Sequence, residues 1–297
     1  MKRTAYISII GRPNVGKSTL MNSILGEKIS IVSSKPQTTR NRIAGILTRG
    51  DDQFVFLDTP GVHKAKNRLG DYMMKSVKST VRSADAAILI ADAAHPAGNT
   101  EKNLIDQIKA ADLPSILVLN KIDLTNAETL AKTIACYAEL HDFDAVVPTS
   151  AVNGKNVDIV LSEVEPFLYE SEWMFDDDDV TDQPERQIAS EIIREKLLRV
   201  LNDEVPHGTA IVIEEFREKG KMLNIRAEIF CEKASHKGII IGKNGETLKK
   251  IGSYARSDIE EFFGVRVYLD LWVKVKEKWR DSDLVLNTFG YNQKDLD

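Results

Sequence analysis

Cysteine is nearly absent from the chain, and what little there is cannot work together. Cys136 and Cys231 are the only two in 297 residues, and they form no CxxC pair, so a disulfide framework and a cysteine-rich metal site are both excluded. Long apolar runs are absent too: none approaches the roughly 18–20 residues that a membrane-spanning helix needs. Met1 to Ala5 lead into a short apolar run with no cleavage-type pattern after it, so the expectation is a protein that is not exported and stays in a reducing cytoplasm.

A large excess of one charge is also missing. The chain has 40 Lys and Arg against 45 Asp and Glu, a net charge of -5. Residues 1–167 hold 20 basic and 18 acidic side chains, and residues 186–297 hold 20 and 19. The whole excess therefore lies in residues 168–185, with eight acidic side chains and no basic one. Asp176 to Asp179, followed by Pro184, read as an extended, self-repelling linker over 169–185. That divides the chain into a domain over 1–168 and a second over 186–297, in keeping with a length about twice that of a typical domain. The alternative is an acidic loop on one larger domain.

What is present is a set of ordered motifs. The apolar run Tyr6 to Ile10 reads as a buried strand, followed by Gly11, Arg12, Pro13, Asn14, Val15, Gly16, Lys17 and Ser18, then by Thr19 and a helical pattern. This is the G-x-x-x-x-G-K-[ST] loop. Its backbone N–H groups turn onto phosphate oxygens, its lysine neutralises the outer phosphates and its serine holds Mg²⁺. Apolar stretches 43–48 and 54–57 flank a turn at 49–52 and predict a hairpin at a sheet edge. Asp58, Thr59, Pro60 and Gly61 follow at the strand's carboxyl end, where an aspartate can reach a phosphate-bound metal.

Strand patterns at 86–91, 115–119 and 145–148 alternate with helical stretches, as in a mostly parallel, doubly wound sheet. The second ends in Asn120, Lys121, Ile122 and Asp123. A carboxylate there accepts from both the ring N–H and the exocyclic amine of guanine, and adenine has neither donor at that edge. Asn120 is expected to brace the loops, the Lys121 stem to lie along the base, and a backbone N–H near Ser150 and Ala151 to meet the guanine oxygen. Residues 35–42, including Gln37, Thr38, Thr39, Arg40 and Asn41, have neither helical nor strand period and suit a switch loop ordered by phosphate and metal, with Thr38 or Thr39 as the metal ligand.

Beyond the acidic stretch the pattern is helix, strand, strand, short helix, GKNG, helix, strand, which predicts a three-stranded sheet with helices on one face. Gly242, Lys243, Asn244 and Gly245 follow the apolar run containing Ile240 and Ile241. Residues 233–256 carry six basic side chains, among them Lys237, Lys249 and Lys250, against one acidic residue, Glu246. Glycines between two helices let a sugar-phosphate backbone approach closely, and about four nucleotides are gripped at such a loop. Trp272 and Trp279 are expected in the core rather than as stacking platforms.

The first half resembles the GTP-binding proteins of the translation-factor-related class, and the GKNG segment resembles the GxxG loop of KH domains. Across nearly the full length, GRPNVGKS, KPQTTR, DTPG, NKID, TSA, ASEIIREKL, IIIGKNG and LWVKVK resemble the Era-type GTPases of bacteria. The resemblance implies an α/β P-loop GTPase domain followed by an α+β KH domain of the second topology. It further implies a monomeric GTPase, using Mg²⁺ with GTP and GDP, that binds the terminal segment of small-subunit ribosomal RNA and assists small ribosomal subunit assembly, with peripheral attachment to the inner membrane. It favours Thr39 over Thr38 as metal ligand. Val62 stands where Ras-like members carry a water-orienting glutamine; families with this apolar replacement commonly use K⁺ held by the residue corresponding to Asn14. The rivals are a membrane-associated signalling or cell-cycle GTPase with the second domain as adaptor, and an RNA-binding module with a vestigial nucleotide site.

Overall fold

The structure is a computed structural model that describes residues 1–33, 35 and 37–292. Pro36 of the switch segment and residues 293–297 of the second domain lie outside the described residues. The chain forms two units, with the main boundary between Asp182 and Gln183.

The first unit contains β1 (Arg3–Ile10), α1 (Lys17–Leu25), β2 (Ile43–Arg49), β3 (Asp52–Asp58), α2 (Arg68–Ser83), β4 (Ala86–Asp92), α3 (Asn99–Ala110), β5 (Ser115–Asn120), α4 (Ala127–Ala138), β6 (Ala145–Thr149), α5 (Val157–Val164) and β7 (Tyr169–Glu170). The sheet order is β2-β3-β1-β4-β5-β6, with β7 paired to β1. Neighbours from β3 to β6 run parallel, and β2 returns antiparallel to β3 as the expected hairpin. Strands β4 and β5 are buried along almost their whole length because helices cover both faces, which explains their unbroken apolar runs. Register aligns Asp58 with Ile9, Asp92 with Asn120 and Asn120 with Thr149. The four motif-bearing loops consequently leave the sheet at one edge, beyond the carboxyl ends of their strands.

The acidic segment differs from the linker read from sequence. Glu170 and Tyr169 pair with Arg3 and Thr4. The fully buried Gln53 accepts from the backbone N–H groups of Met174 (2.9 Å) and Phe175 (3.1 Å) and donates to the Phe175 carbonyl (3.0 Å). Met174 and Phe175 pack on Ala44, Val55 and Leu57. Further along, the Ile46 N–H donates to the Val180 carbonyl (3.0 Å), Thr181 Oγ1 donates to the Ala44 carbonyl (2.7 Å), and Arg42 pairs with Asp182 (3.2 Å). The two packed apolar residues and the buried Gln53 amide hold the segment against its charge repulsion. The segment is a strap on the first unit, covering the otherwise open edge of β2.

The second unit contains α6 (Glu185–Val200), β8 (Ala210–Lys219), β9 (Met222–Cys231), α7 (Ala234–Ile241), α8 (Glu246–Phe263), β10 (Arg266–Val275) and α9 (Asp283–Thr288). Its sheet order is β10-β9-β8, with β8 antiparallel and β10 parallel to β9. Alternate residues Leu223, Ile225, Ala227 and Ile229 of β9 meet Ile251, Ala255 and Ile259 of α8, spaced i, i+4, i+8, and Ile193 and Leu197 of α6. The predicted element order is observed from α6 through β10, and α9 is an addition to it. Trp279 is fully buried, its Nε1 donating to the Gly208 carbonyl (2.9 Å), whereas Trp272 is 58% exposed, so the core reading applies to Trp279 alone.

Candidate functional site

The loop after β1 wraps back on itself before α1 begins. Gly16 has φ +103°, and a Cβ there would strike the Asn120 side chain, so only glycine fits this turn. Lys17, buried at the first position of α1, donates to the carbonyls of Arg12 (3.0 Å) and Gly11 (3.3 Å). Burial brings its pKa down to about 8, against the pull of the Asp58 carboxylate.

Three hydroxyls and a carboxylate converge beside it. Ser18 Oγ donates to Asp58 Oδ2 (2.6 Å), Thr39 Oγ1 lies 3.0 Å from Ser18 Oγ and 3.3 Å from Asp58 Oδ2, and Ser30 Oγ donates to the same oxygen (2.9 Å). Burial pushes the Asp58 carboxyl up, opposed by Lys17 and these hydroxyls. Asp58 Oδ1 is buried without a hydrogen-bond partner among the described residues. An unsatisfied carboxylate oxygen among hydroxyls is a hard-oxygen donor set, and its chemistry fits Mg²⁺. Between the two threonines the structure distinguishes plainly: Thr39 joins Ser18 and Asp58, while Thr38 Oγ1 donates to the Lys35 carbonyl (2.7 Å). Asn14 and Thr19 line the same cleft as Lys17 and Ser18.

The other nominated residues divide between ligand-facing and structural positions. Thr59 Oγ1 donates to the Ile9 carbonyl (2.8 Å) and Val62 packs on the core with its N–H on the Gly11 carbonyl (3.2 Å), so both tie the end of β3 to β1. Arg12 pairs with Glu101 (2.6 Å), Arg40 is buried, and Asn41 Oδ1 accepts from the Tyr72 hydroxyl (3.1 Å). Gln37 reaches across to His63, nitrogen to nitrogen, at 3.0 Å, and His63 Nδ1 lies 2.9 Å from the Gly61 carbonyl. A carbonyl can only accept, so Nδ1 carries the proton and Nε2 accepts from the Gln37 amide. This link between residues 37 and 63 carries no signature in sequence.

At the neighbouring loops Asn120 does brace: Nδ2 donates to the Val15 carbonyl (2.8 Å) and Oδ1 accepts from the Ala151 N–H (2.9 Å). The Ala151 amide, one of the backbone N–H groups near Ser150 and Ala151 expected to meet the guanine oxygen, is thus engaged by Asn120. Asp123 is exposed and its Oδ1 accepts from Ser150 Oγ (2.5 Å), which orients the carboxylate. Lys121 Nζ pairs with Asp92 (3.0 Å), which fixes its stem beside the site.

In the second unit Gly242 has φ +75°, and a Cβ there would collide with Thr247. The loop opens on a groove of about 510 Å³ between α8 and β10, lined by Gly245, Leu248, Lys249, Gly252, Arg256 and Leu271, among others. Ile240, nominated for RNA contact, is fully buried in the core, and Ile241 packs against that core; Ile239 is the exposed isoleucine. Arg256, one of the six basic side chains of residues 233–256, lines the groove together with Leu248 and Gly252, which the sequence reading does not name, although the i, i+4, i+8 spacing after the loop puts all three on one helix face.

Residues 6–121 match the family model described as 50S ribosome-binding GTPase, and residues 204–280 match that of the KH domain. GTPase Era of Clostridium kluyveri is 50% identical over 98% of this chain and 100% of its own length, and that of Clostridioides difficile 46% over 99% and 100%. A crystal structure of Era in complex with MgGDPNP and nucleotides 1506–1542 of 16S ribosomal RNA superposes with a TM-score of 0.95 at 38% identity, covering 98% of this chain and 100% of that one. An Aquifex aeolicus Era variant bound to GDP·AlF4⁻ gives 0.94 at 38%, covering 98% and 99%. With a P-loop motif domain, a GxxG domain and full-length identity of this order, the chain belongs to the Era family of GTPases, enzymes that hydrolyse GTP.

Proposed function

We propose that this GTPase is a nucleotide-gated RNA switch that grips the terminal segment of small-subunit ribosomal RNA and assists small ribosomal subunit assembly. The observation that carries it is the pairing of a buried Lys17–Ser18–Thr39–Asp58 cluster in one unit with a glycine-bounded, cation-lined groove in the other. The relative crystallised with a 16S segment supports the choice of RNA.

In this reading Lys17 leaves the Gly11 and Arg12 carbonyls for the outer phosphates, and Asp123 selects guanine. Ser18, Thr39 and Asp58 hold Mg²⁺, which supplies positive charge to the phosphates when bound. The cleft bounded by Lys17, Thr38, Thr39 and Gly61 encloses about 50 Å³, so residues 37–39 shift to admit a nucleotide, and the loop is thereby coupled to ligand state. Thr39 is separated by only a few residues from Arg42 and Ala44, which bind the strap leading to the second unit. Movement of this loop therefore reaches the segment that precedes the RNA groove.

Val62 has no group that can orient water, so a cation at Asn14 is the proposed substitute; turnover is expected to be severalfold faster in K⁺ than in Na⁺, and equal rates contradict it. Among the described residues no helix is long and apolar enough to cross a membrane. Peripheral membrane attachment, a cytoplasmic location and a monomeric state belong to the proposal through family resemblance.

The pKa of Lys17 gives a second handle. Phosphates beside it restore its proton, so GDP binding at pH 8 is expected to take up about half a proton. Affinity should fall as the pH rises from 7 to 9, because the free lysine must then be recharged. Calorimetry in buffers of different ionisation enthalpy, with EDTA present, measures this; zero uptake at pH 8 contradicts the assignment.

The RNA reading is tested by Gly242→Asp. A carboxylate placed against Thr247, in a left-handed conformation and beside a phosphate path, is expected to lower affinity for 16S nucleotides 1506–1542 at least tenfold while leaving GTP turnover intact. Filter binding at fixed salt decides it, and unchanged affinity refutes it.

A further inference from the structure

The sheet of the second unit has a face that the helices do not cover. Along β10, Val267, Leu269, Leu271 and Val273 point to the helices, which leaves Tyr268, Asp270, Trp272 and Lys274 on the other side. Register sets Asn224 beside Tyr268, Arg226 beside Asp270, Glu228 beside Trp272 and Phe230 beside Lys274. At one end this face is closed: Phe230 packs on Phe289 (4.6 Å), which packs on the buried Trp279 (5.5 Å). The rest is open, with Tyr268 60% and Trp272 58% exposed. Two large aromatics standing clear of the buried Trp279 and the half-buried Phe230 and Phe289 are not spillover from the core.

The polar groups around them are not balanced. Three carboxylates of this face are engaged: Glu228 by Lys274, Glu215 by Lys219 (3.9 Å), and Asp270 by the Trp272 indole N–H (2.8 Å). Arg217, Arg226 and Arg266 are exposed and have no ion-pair partner among the described residues. Asp270 also holds the indole by its one polar atom, which limits how the ring can turn. Guanidinium groups beside an oriented indole and a phenol make a surface for a polyanion with π-faces, which is single-stranded nucleic acid.

The position of this face connects it to the groove. β10 pairs with β9 alone among the described residues, so its other edge is open, and Tyr268 also borders the groove between α8 and β10. We propose that RNA leaving the GKNG groove turns over the β10 edge, and that unpaired bases then stack on Tyr268 and Trp272 while Arg226 and Arg266 meet the phosphates. The inference rests on the RNA reading of the groove and extends it from a four-nucleotide clamp to a longer footprint. Tyr268 and Trp272 lie four residues apart on one strand, about 13 Å at the usual rise, so they serve separate bases of one chain.

The test uses the full chain and RNA of 16S nucleotides 1506–1542, together with versions trimmed from either end down to four nucleotides. Trp272→Ala and Arg226→Ala are expected to weaken the longest RNA by about tenfold each and to leave the shortest Gly242-dependent RNA unchanged. Trp272→Phe should restore most of the loss. Indole fluorescence of the native chain should be quenched by the long RNA only, and Trp272→Phe should remove that quenching. Gly242→Asp failing to weaken any RNA overturns the groove reading itself. Gly242→Asp acting as expected, with Trp272→Ala neutral on every RNA, overturns the extension alone and leaves the face to a protein partner. A loss that is equal for short and long RNA also overturns it, because the residue would then be supporting the groove.

Discussion

Lys17→Ala is expected to reduce GTP turnover by at least about 10²–10³-fold, the loss that follows removal of one preorganised charge from developing phosphate charge. The lysine is buried, donates to two loop carbonyls and feels the charge of Asp58, and alanine supplies none of these interactions. Phosphate release under single-turnover conditions measures the effect. Since the side chain also steadies the loop, GDP binding and thermal unfolding should be measured alongside. A variant that folds, binds GDP and turns over at the native rate would remove Lys17 from the chemistry.

Asp123→Asn should exchange one purine for another. Asp123 accepts the Ser150 hydroxyl on Oδ1 and presents its remaining acceptor capacity to solvent. Guanine offers two donors to that carboxylate. The asparagine keeps one acceptor and adds an N–H, which opposes the exocyclic amine of guanine and suits the corresponding carbonyl of xanthine. Loss of two charge-assisted hydrogen bonds, at about 1.5–3 kcal/mol each, predicts a drop in GTP affinity of roughly 10²–10⁴-fold, with xanthosine triphosphate bound more tightly than GTP. Competition binding with both nucleotides is the measurement. Unaltered preference for GTP would place base selection elsewhere.

The sequence carries the phosphate and base loops unusually well because each is a local solution to a local problem. A left-handed turn at Gly16, a lysine opening α1 and an aspartate ending β3 must occur at fixed spacing, and that spacing survives without any knowledge of tertiary contacts. The α–β–β–α–α–β order of the second unit is legible for the same reason, since periodicity changes at each boundary. What escaped depends on residues distant in sequence. The strap at 169–182 reads as charge, but its attachment is made by Gln53 and the β2 edge, more than a hundred positions away. Composition and spacing do not separate Thr38 from Thr39; the resemblance favours Thr39, and the contacts with Ser18 and Asp58 are made by Thr39. Ile240 and Ile239 differ by one step on a short helix whose buried face is set by the sheet beneath it. Trp272 and Trp279 likewise belong to different worlds because one lies on an open sheet face and the other under α9.

Coupling between the units is the central claim, and a direct measurement is the affinity of the full chain for 16S nucleotides 1506–1542 with a non-hydrolysable GTP analogue and with GDP, at one salt concentration. A coupling of about 1–3 kcal/mol predicts binding about 5- to 150-fold tighter in the GTP-like state, and RNA must then tighten the analogue by the same factor relative to GDP. Equal RNA affinity in the two nucleotide states would contradict the account.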